Sequence, residues 1–528
     1  MESDNPQVRG PRPYRAARVA AWSVVVSVVC FGLAAVGQPA ASLVDAVDKA
    51  LLPSREKQVD AAVVLLDLQT GRTLYASTNA DAALMPASNL KLLTSAAALD
   101  RFGAGFPLTT TLAIAGSDLL IIGGGDPALG DSVLAERRGE PRTAVFDHWA
   151  AVLRQAGLTR FAGDVVVVDP VFDMQTTHPT WGDYNRLQWY GAPIAGLNYN
   201  TNCVDFTFLP AAGGGNAIIQ TDPQSGGFEI QGTVKTVSSV KQHKPILGKR
   251  PQPVDGRSVY PVGGAVARLA GPYSKPVDDP LQFTGQVFKD ELGRRGISVN
   301  GSVLVTHHLP TGRYRAVATY QTPLGDVVDR VNTNSQNLMA EALAKLNGMA
   351  YLQDQGVADA RGSWGAGHLA VVAMLKRLGI DSLPVVCADG SGLSRENRVS
   401  VRVLAELIQK MVSGHPQGGA YLGSLAVAGQ SGSLGRRLDD LDGRVFAKTG
   451  TINGVSSLSG LVIDEFGRGV VFSVIHNGIK GGSSPYRRQQ DEVVRAAAAW
   501  LDQLDAPGPY APEVPAAVGQ VLQAVSAE

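Results

Sequence analysis

Lys448-Thr449-Gly450 occurs once in the chain, inside RVFAKTGTINGVSSLSGLVI. Apolar alternation on both sides of Asn453-Gly454 predicts a β-hairpin. Lys448 then sits on a sheet strand, its ammonium aimed across a cleft and not into bulk water. Two upstream pairs complement it: Ser88 with Lys91, and Ser335 with Asn337. Residues three apart share a helix face, so Lys91 lies beside the Ser88 hydroxyl. Apolar surroundings lower a lysine pKa and make it a neutral base. A helix N-terminus stabilises a developing oxyanion. Together these residues describe acyl transfer through a serine nucleophile.

Each pair also occurs elsewhere, and context separates the copies. Ser54 and Lys57 stand in the charged stretch PSREKQ, and Ser238 and Lys241 in the polar stretch SSVKQHK, where neither lysine can be desolvated. Only Ser88 opens an apolar helix, LLTSAAAL, where a serine is also a favoured cap. Ser3 with Asn5, Ser77 with Asn79 and Ser298 with Asn300 repeat the second spacing. Only Ser335 with Asn337 lies in a helical region, where it too can cap the helix SQNLMAEAL.

These residues must be positioned by a split scaffold. VDAAVVLLDL and RTLYAST alternate around Gln69-Thr70-Gly71 as a hairpin, followed by a helix from about Ser88 to Arg101. The stretch 106–321 is rich in strands and glycine turns, with one helix, DDPLQFTGQVFKDELGRRG, and an inner domain at about 204–275. Amphipathic helices follow: GDVVDRV running into SQNLMAEALAKL, then HLAVVAMLKRLG and VRVLAELIQKMV. The Lys448 hairpin, a turn at Glu465-Phe466-Gly467, the strand RGVVFSVIH and a closing helix complete the fold. Residues 43–105 and 322–505 therefore form one α/β domain split by the insertion, and the Pro- and Ala-rich tail 506–528 reads as disordered.

The 528 residues, 45% hydrophobic, suffice for a large core and several domains. With a formal net charge of zero, nothing suggests a polyanion-binding surface, so nucleic acid is not an expected partner. Arg9, Arg12, Arg15 and Arg18 precede the uncharged run VAAWSVVVSVVCFGLAAVG. Residues 1–42 thus read as an export signal or an N-terminal membrane anchor, the only expected membrane contact. Val29 before Cys30 argues against a lipoprotein box. Cys203 and Cys387 are either one bridge or two buried thiols, and no metal-ligand spacing appears. His307-His308 reads as surface and His476 as structural. Gly123-Gly124-Gly125-Asp126 lacks the Gly-Lys-Ser/Thr that would make it a phosphate loop.

From about residue 45 to 505 the chain resembles the D-alanyl-D-alanine carboxypeptidase/endopeptidase family, the class C low-molecular-mass penicillin-binding proteins. The resemblance rests on PASNLKLLTSAAAL, IIGGGDPAL, YGAPIAGLNYNTNCVDF, NTNSQNLMAEAL, DGSGLSRENRVS, AGQSGSLGRRL and KTGTINGVSSLSG. It implies a penicillin-binding/serine β-lactamase-like transpeptidase domain, an antiparallel sheet plus a helical subdomain, split by an insertion forming two smaller domains. The implied substrates are peptidoglycan stem peptides, with β-lactams as covalent inhibitors and neither metal nor cofactor.

By the same resemblance Ser88 is the nucleophile and Lys91 its base, deprotonated by burial and by the Lys448 charge. The N–H groups of Ser88 and Thr451 form the oxyanion hole. Lys448, Thr449 and Gly450 belong to the substrate-binding strand, with Lys448 and Thr449 on the substrate carboxylate. Ser335 relays a proton to the leaving group, and Asn337 fixes the lysine and the substrate amide. Arg395 and Asp183 are assigned to the acyl-donor side-chain pocket. Ser433 stands where the family often has Thr, and TWGDYNRLQWYGAP departs from its better-known members. Two alternatives keep the same motifs: a serine β-lactamase or esterase, which the long insertion opposes, and a non-catalytic wall-binding relative.

Overall fold

The computed structural model describes residues 40–383, 385–505 and 514–520. The export reading of the N-terminus lies outside these residues. Among the described residues, no helix is long and apolar enough to cross a membrane.

A six-stranded antiparallel sheet carries the Lys448 hairpin. Its strands are β1 (Asp60–Asp67), β2 (Thr73–Ala76), β3 (Ala426–Val427), β4 (Val445–Ile452), β5 (Val455–Ile463) and β6 (Gly469–Asn477). Their order is β3-β4-β5-β6-β1-β2, so the N-terminal hairpin completes a sheet built mostly from the C-terminal part of the chain. Both faces are covered. Ala62, Val64 and Leu66 of β1 enter one core, and Val63 and Leu65 enter another, the period-two division of a strand. The second core is closed by α1 (Ala40–Glu56) and by the last helix, Ser484–Asp502. The first is a helical subdomain of α2 (Leu90–Phe102), α3 (Leu324–Thr333), α4 (Asn337–Asp354), α5 (Trp364–Arg377) and α6 (Val401–Gly414).

Three sequence expectations change, and one open alternative is decided. The run through α3 and α4 is broken at Ser335, whose φ of 60° ends one helix before the next begins. Among the described residues the insertion holds three helices longer than a single turn, Ser132–Arg138, Ala144–Gln155 and Pro280–Arg294, not one. The second of these carries a helical apolar spacing: Val145, Phe146, Trp149, Ala150 and Leu153 form its buried stripe. Geometry demands such helices as well, because Asp118–Gly123, Val165–Val168 and Val303–Thr306 pair in parallel, and parallel neighbours need long crossovers. The tail is not wholly unstructured, since Ala517 and Val518 are buried in the helical core. Cys203 and Cys387 are free and buried.

Two antiparallel strands, Pro107–Ala115 and Arg315–Pro323, complete the five-stranded sheet of the insertion. A smaller all-strand lobe runs from Cys203–Leu209 to Ala270–Pro276, packed around Phe206, Phe228 and Tyr260. The insertion touches the catalytic domain through a buried Asp131–Arg330 ion pair at 2.9 Å and through the connection after Val165–Val168. There Phe172 bridges to Gly362, and Trp181 Nε1 donates to Asp389 at 2.9 Å.

Candidate active site

Ser88 sits in a 3₁₀ turn, Ala87–Asn89, that runs directly into α2. Its hydroxyl is half-buried and caps no helix; instead it accepts a hydrogen bond from Lys91 Nζ at 3.1 Å. The turn is held from two sides. Ser457 Oγ on β5 donates to Pro86 O at 2.7 Å. Gly392 packs so closely that a Cβ there would collide with Ala87 O. Gly450 is required for the same reason: a Cβ would run into Ser457 Oγ and lie 3.0 Å from Ser88 N. The Lys-Thr-Gly strand therefore meets the serine turn backbone to backbone.

Lys91 is fully buried and saturated with acceptors. Besides Ser88, its Nζ donates to Asn337 Oδ1 at 2.7 Å and to Ser391 O at 2.7 Å. Burial pulls its pKa down to about 7, while the nearby carboxylates of Glu341 and Asp389 hold it up. Asn337 is the first residue of α4, and its Nδ2 donates to Tyr190 O at 2.8 Å. The insertion thus supplies the backbone atom that orients this amide.

Lys448 is equally inaccessible but differently furnished. Its Nζ donates to the Thr449 carbonyl at 3.1 Å. Burial, with the Lys91 charge adding to it, drives its pKa well below the lysine range. The sequence reading lets Lys91 alone yield its proton. In the structure burial depresses both lysines; carboxylates hold the Lys91 pKa up, whereas the Lys91 charge lowers that of Lys448 further.

The remaining candidates are placed less tightly. Ser335 is half-buried at the α3–α4 break, and Gln336, not Ser335, caps α4. The three acceptors around Lys91 do not include Ser335. Thr449 is half-buried; exposed Thr451 accepts a hydrogen bond from Arg487 at 3.3 Å. Arg395 donates to Asn453 O at 2.7 Å, at the turn of the Lys448 hairpin. Asp183 is fully exposed, 3.9 Å from Arg186.

Sequence reasoning missed the buried carboxylates. Glu341 and Asp389 are fixed almost entirely by N–H donors from the loop 389–397 and from two tryptophans. Glu341 stands four residues after Asn337, a spacing that places it on the same face of α4. That signal was available. Asp389, in ADGSGLS, had only a glycine-rich loop to mark it.

Comparison with known proteins agrees with this fold. A carboxypeptidase from Actinomadura sp. (strain R39), named D-alanyl-D-alanine carboxypeptidase, is 30% identical over 462 residues, covering 83% of this chain and 81% of that one. D-alanyl-D-alanine carboxypeptidase DacB of Haemophilus influenzae is 24% identical over 352 residues, covering 65% and 71%. The crystal structure of penicillin binding protein 4 (dacB) from Haemophilus influenzae superposes with a TM-score of 0.69 at 23% identity, covering 86% of this chain and 99% of that one. Residues 43–500 match the profile of the D-Ala-D-Ala carboxypeptidase 3 (S13) family, and the chain belongs to that family.

Proposed function

We propose that the chain is a serine DD-peptidase of peptidoglycan that works through an acyl-enzyme on Ser88. Ser88 Oγ attacks the carbonyl between two D-alanine residues as Lys91 Nζ takes the hydroxyl proton. The N–H groups of Ser88 and Thr451 receive the oxyanion. Lys448 and Thr449 hold the terminal carboxylate, and Asn337 steadies both Lys91 and the substrate amide. The proton passes through Ser335 to the leaving amine, the C–N bond breaks and D-alanine departs. Water then attacks the ester, returning the stem-peptide acid and free Ser88. Arg395 and Asp183 are assigned to the acyl-donor side of the cleft. A cross-link between two stem peptides offers the same D-alanyl carbonyl, which adds endopeptidase action.

One observation carries this reading: a fully buried lysine, its pKa drawn to about 7, hydrogen-bonded to a serine that solvent can reach. Support comes from relatives named as D-alanyl-D-alanine carboxypeptidases and from a Haemophilus influenzae relative crystallised with a β-lactam. The substrate lies outside the cytoplasm, so the basic and apolar N-terminus serves export, as signal or anchor. Sequencing the N-terminus of the mature protein separates the two.

The test is to label the protein with a fluorescent penicillin, map the labelled peptide, and digest muropeptides with mass analysis of the products. Label on Ser88 with release of D-alanine is expected. Label on Ser54 or Ser238, or label retained by Ser88→Ala, overturns the assignment. Rapid loss of the label without D-alanine release selects the β-lactamase alternative.

A further inference from the structure

Glu341 is a fully buried carboxylate whose hydrogen bonds all come from neutral donors. Its Oε1 accepts from Ser391 N at 2.9 Å; its Oε2 accepts from Gly390 N at 2.7 Å and from Trp364 Nε1 at 2.7 Å. The carbonyls of those two loop residues are gripped from α2. Thr94 Oγ1 donates to Gly390 O at 2.7 Å, and Lys91 Nζ donates to Ser391 O at 2.7 Å. One dipeptide is thus clamped between the carboxylate on its amide side and the active-site lysine on its carbonyl side. Glu341 shares its face of α4 with Asn337, which binds Lys91 directly. The helix therefore reaches Lys91 twice, once by an amide and once through a loop.

Burying a carboxylate without a cation on it is costly. Three neutral donors satisfy its oxygens, but burial, with the Asp389 charge adding to it, pushes its pKa up to about 7, so its charge is present in full only above that pH. When present, that charge holds the Lys91 pKa up against the pull of burial, as does the charge of Asp389. The other ionisable groups around the carboxylate are Asp389 on the same loop and Lys345 one turn further along α4. Lys345 is itself engaged, by Asp173 at 2.5 Å.

We propose that Glu341 is a positioning residue for the reaction: it orients the Ser391 carbonyl onto Lys91 and supplies a negative charge that favours the protonated lysine. The inference rests on Lys91 being the base of the acylation step. Removing the charge must then make Lys91 easier to deprotonate while loosening its seat.

The experiment measures acylation of the full chain by a fluorescent penicillin from pH 5 to 9, for wild type, Glu341→Gln, Glu341→Asp and Thr94→Val. For Glu341→Gln the maximal rate should fall about tenfold, and the acid limb should move down by about one pH unit. Glu341→Asp keeps the charge and should retain the wild-type limb at a reduced rate. Thr94→Val loosens the same dipeptide without altering charge, and should lower the rate with no shift. Should Glu341→Gln not fold, Trp364→Phe withdraws one neutral donor from the carboxylate and should move the limb in the same direction by less. An unmoved limb in whichever of these two variants folds overturns the proposal. Failure of the wild type to acylate on Ser88 would instead overturn the peptidase reading itself.

Discussion

The Ser88–Lys91 corner and the Lys448 strand both bury a lysine completely, yet the protein solvates the two in opposite ways. Lys91 has three oxygen acceptors and feels two carboxylates. Lys448 has one neutral carbonyl, from its own neighbour, and feels another lysine. The first ammonium is prearranged for proton exchange with a serine. The second is left short of an anion, which a substrate carboxylate would supply. Two identical side chains thus acquire different chemistry from what surrounds them.

The most severe way to break this contrast is Lys91→Arg. Arginine keeps the charge and cannot serve as a neutral base, so acylation by fluorescent penicillin should drop by about a thousandfold. A rate near that of the wild type would remove the base from the scheme. Next comes Lys448→Met. It should cost about a hundredfold against a peptide with a free terminal carboxylate, the size of a lost charge-assisted contact, and far less against the same peptide amidated. Equal losses on the two peptides would deny Lys448 its anchoring role. The same variant should gain about 1–3 kcal/mol in stability by removing a poorly partnered buried group, read as a higher Tm.

The pH profile sharpens the contrast further. Lys91 must be neutral to act, so acylation should climb about tenfold per unit below a midpoint of about 7 and level off above it. Linkage gives stability the same sign. Both lysines have folded pKa values below their unfolded ones, so the unfolded chain binds more protons between about 7 and 10.5, and stability rises with pH across that window. Below about 7 the Lys91 part of the penalty is present in full. Thermal melts should show this rise in the wild type and a smaller one in Lys448→Met. The mildest effect is expected for Arg395→Ala, about threefold on peptide turnover, because Arg395 braces the hairpin turn through an exposed bond to Asn453. A loss above about thirtyfold there would mean that the turn, not the strand, governs carboxylate capture.

What the sequence made legible was local. Ser88 and Lys91 are one helical turn apart, and Asn453-Gly454 marks its own hairpin, so both could be placed without knowing the rest. Glu341 could have been found from its spacing to Asn337. Ser391 and Tyr190 could not, since each contributes a backbone carbonyl and no side-chain type announces that. The helix Ala144–Gln155 was lost among strand-like runs although its apolar spacing was helical. The tail was misjudged because Pro and Ala content says nothing of where Val518 finds a partner. Asp183, assigned to a pocket, stands in full solvent with only a distant arginine beside it.

The pairing of β1 with β6 sets a timetable for biosynthesis. Val63, Val64, Leu65 and Leu66 leave the ribosome early, but their register partners, Val471 to Val474, follow about 400 residues later. The insertion, with its own core, can fold in the interval. The first strand meanwhile has only the short β2 beside it, and its other edge stays open and apolar, prone to stick to other chains. Any chain that stops before Gly469 lacks the strand that shelters it. Incomplete chains of this protein should therefore aggregate or be degraded, even when Ser88, Lys91 and Lys448 have all been made.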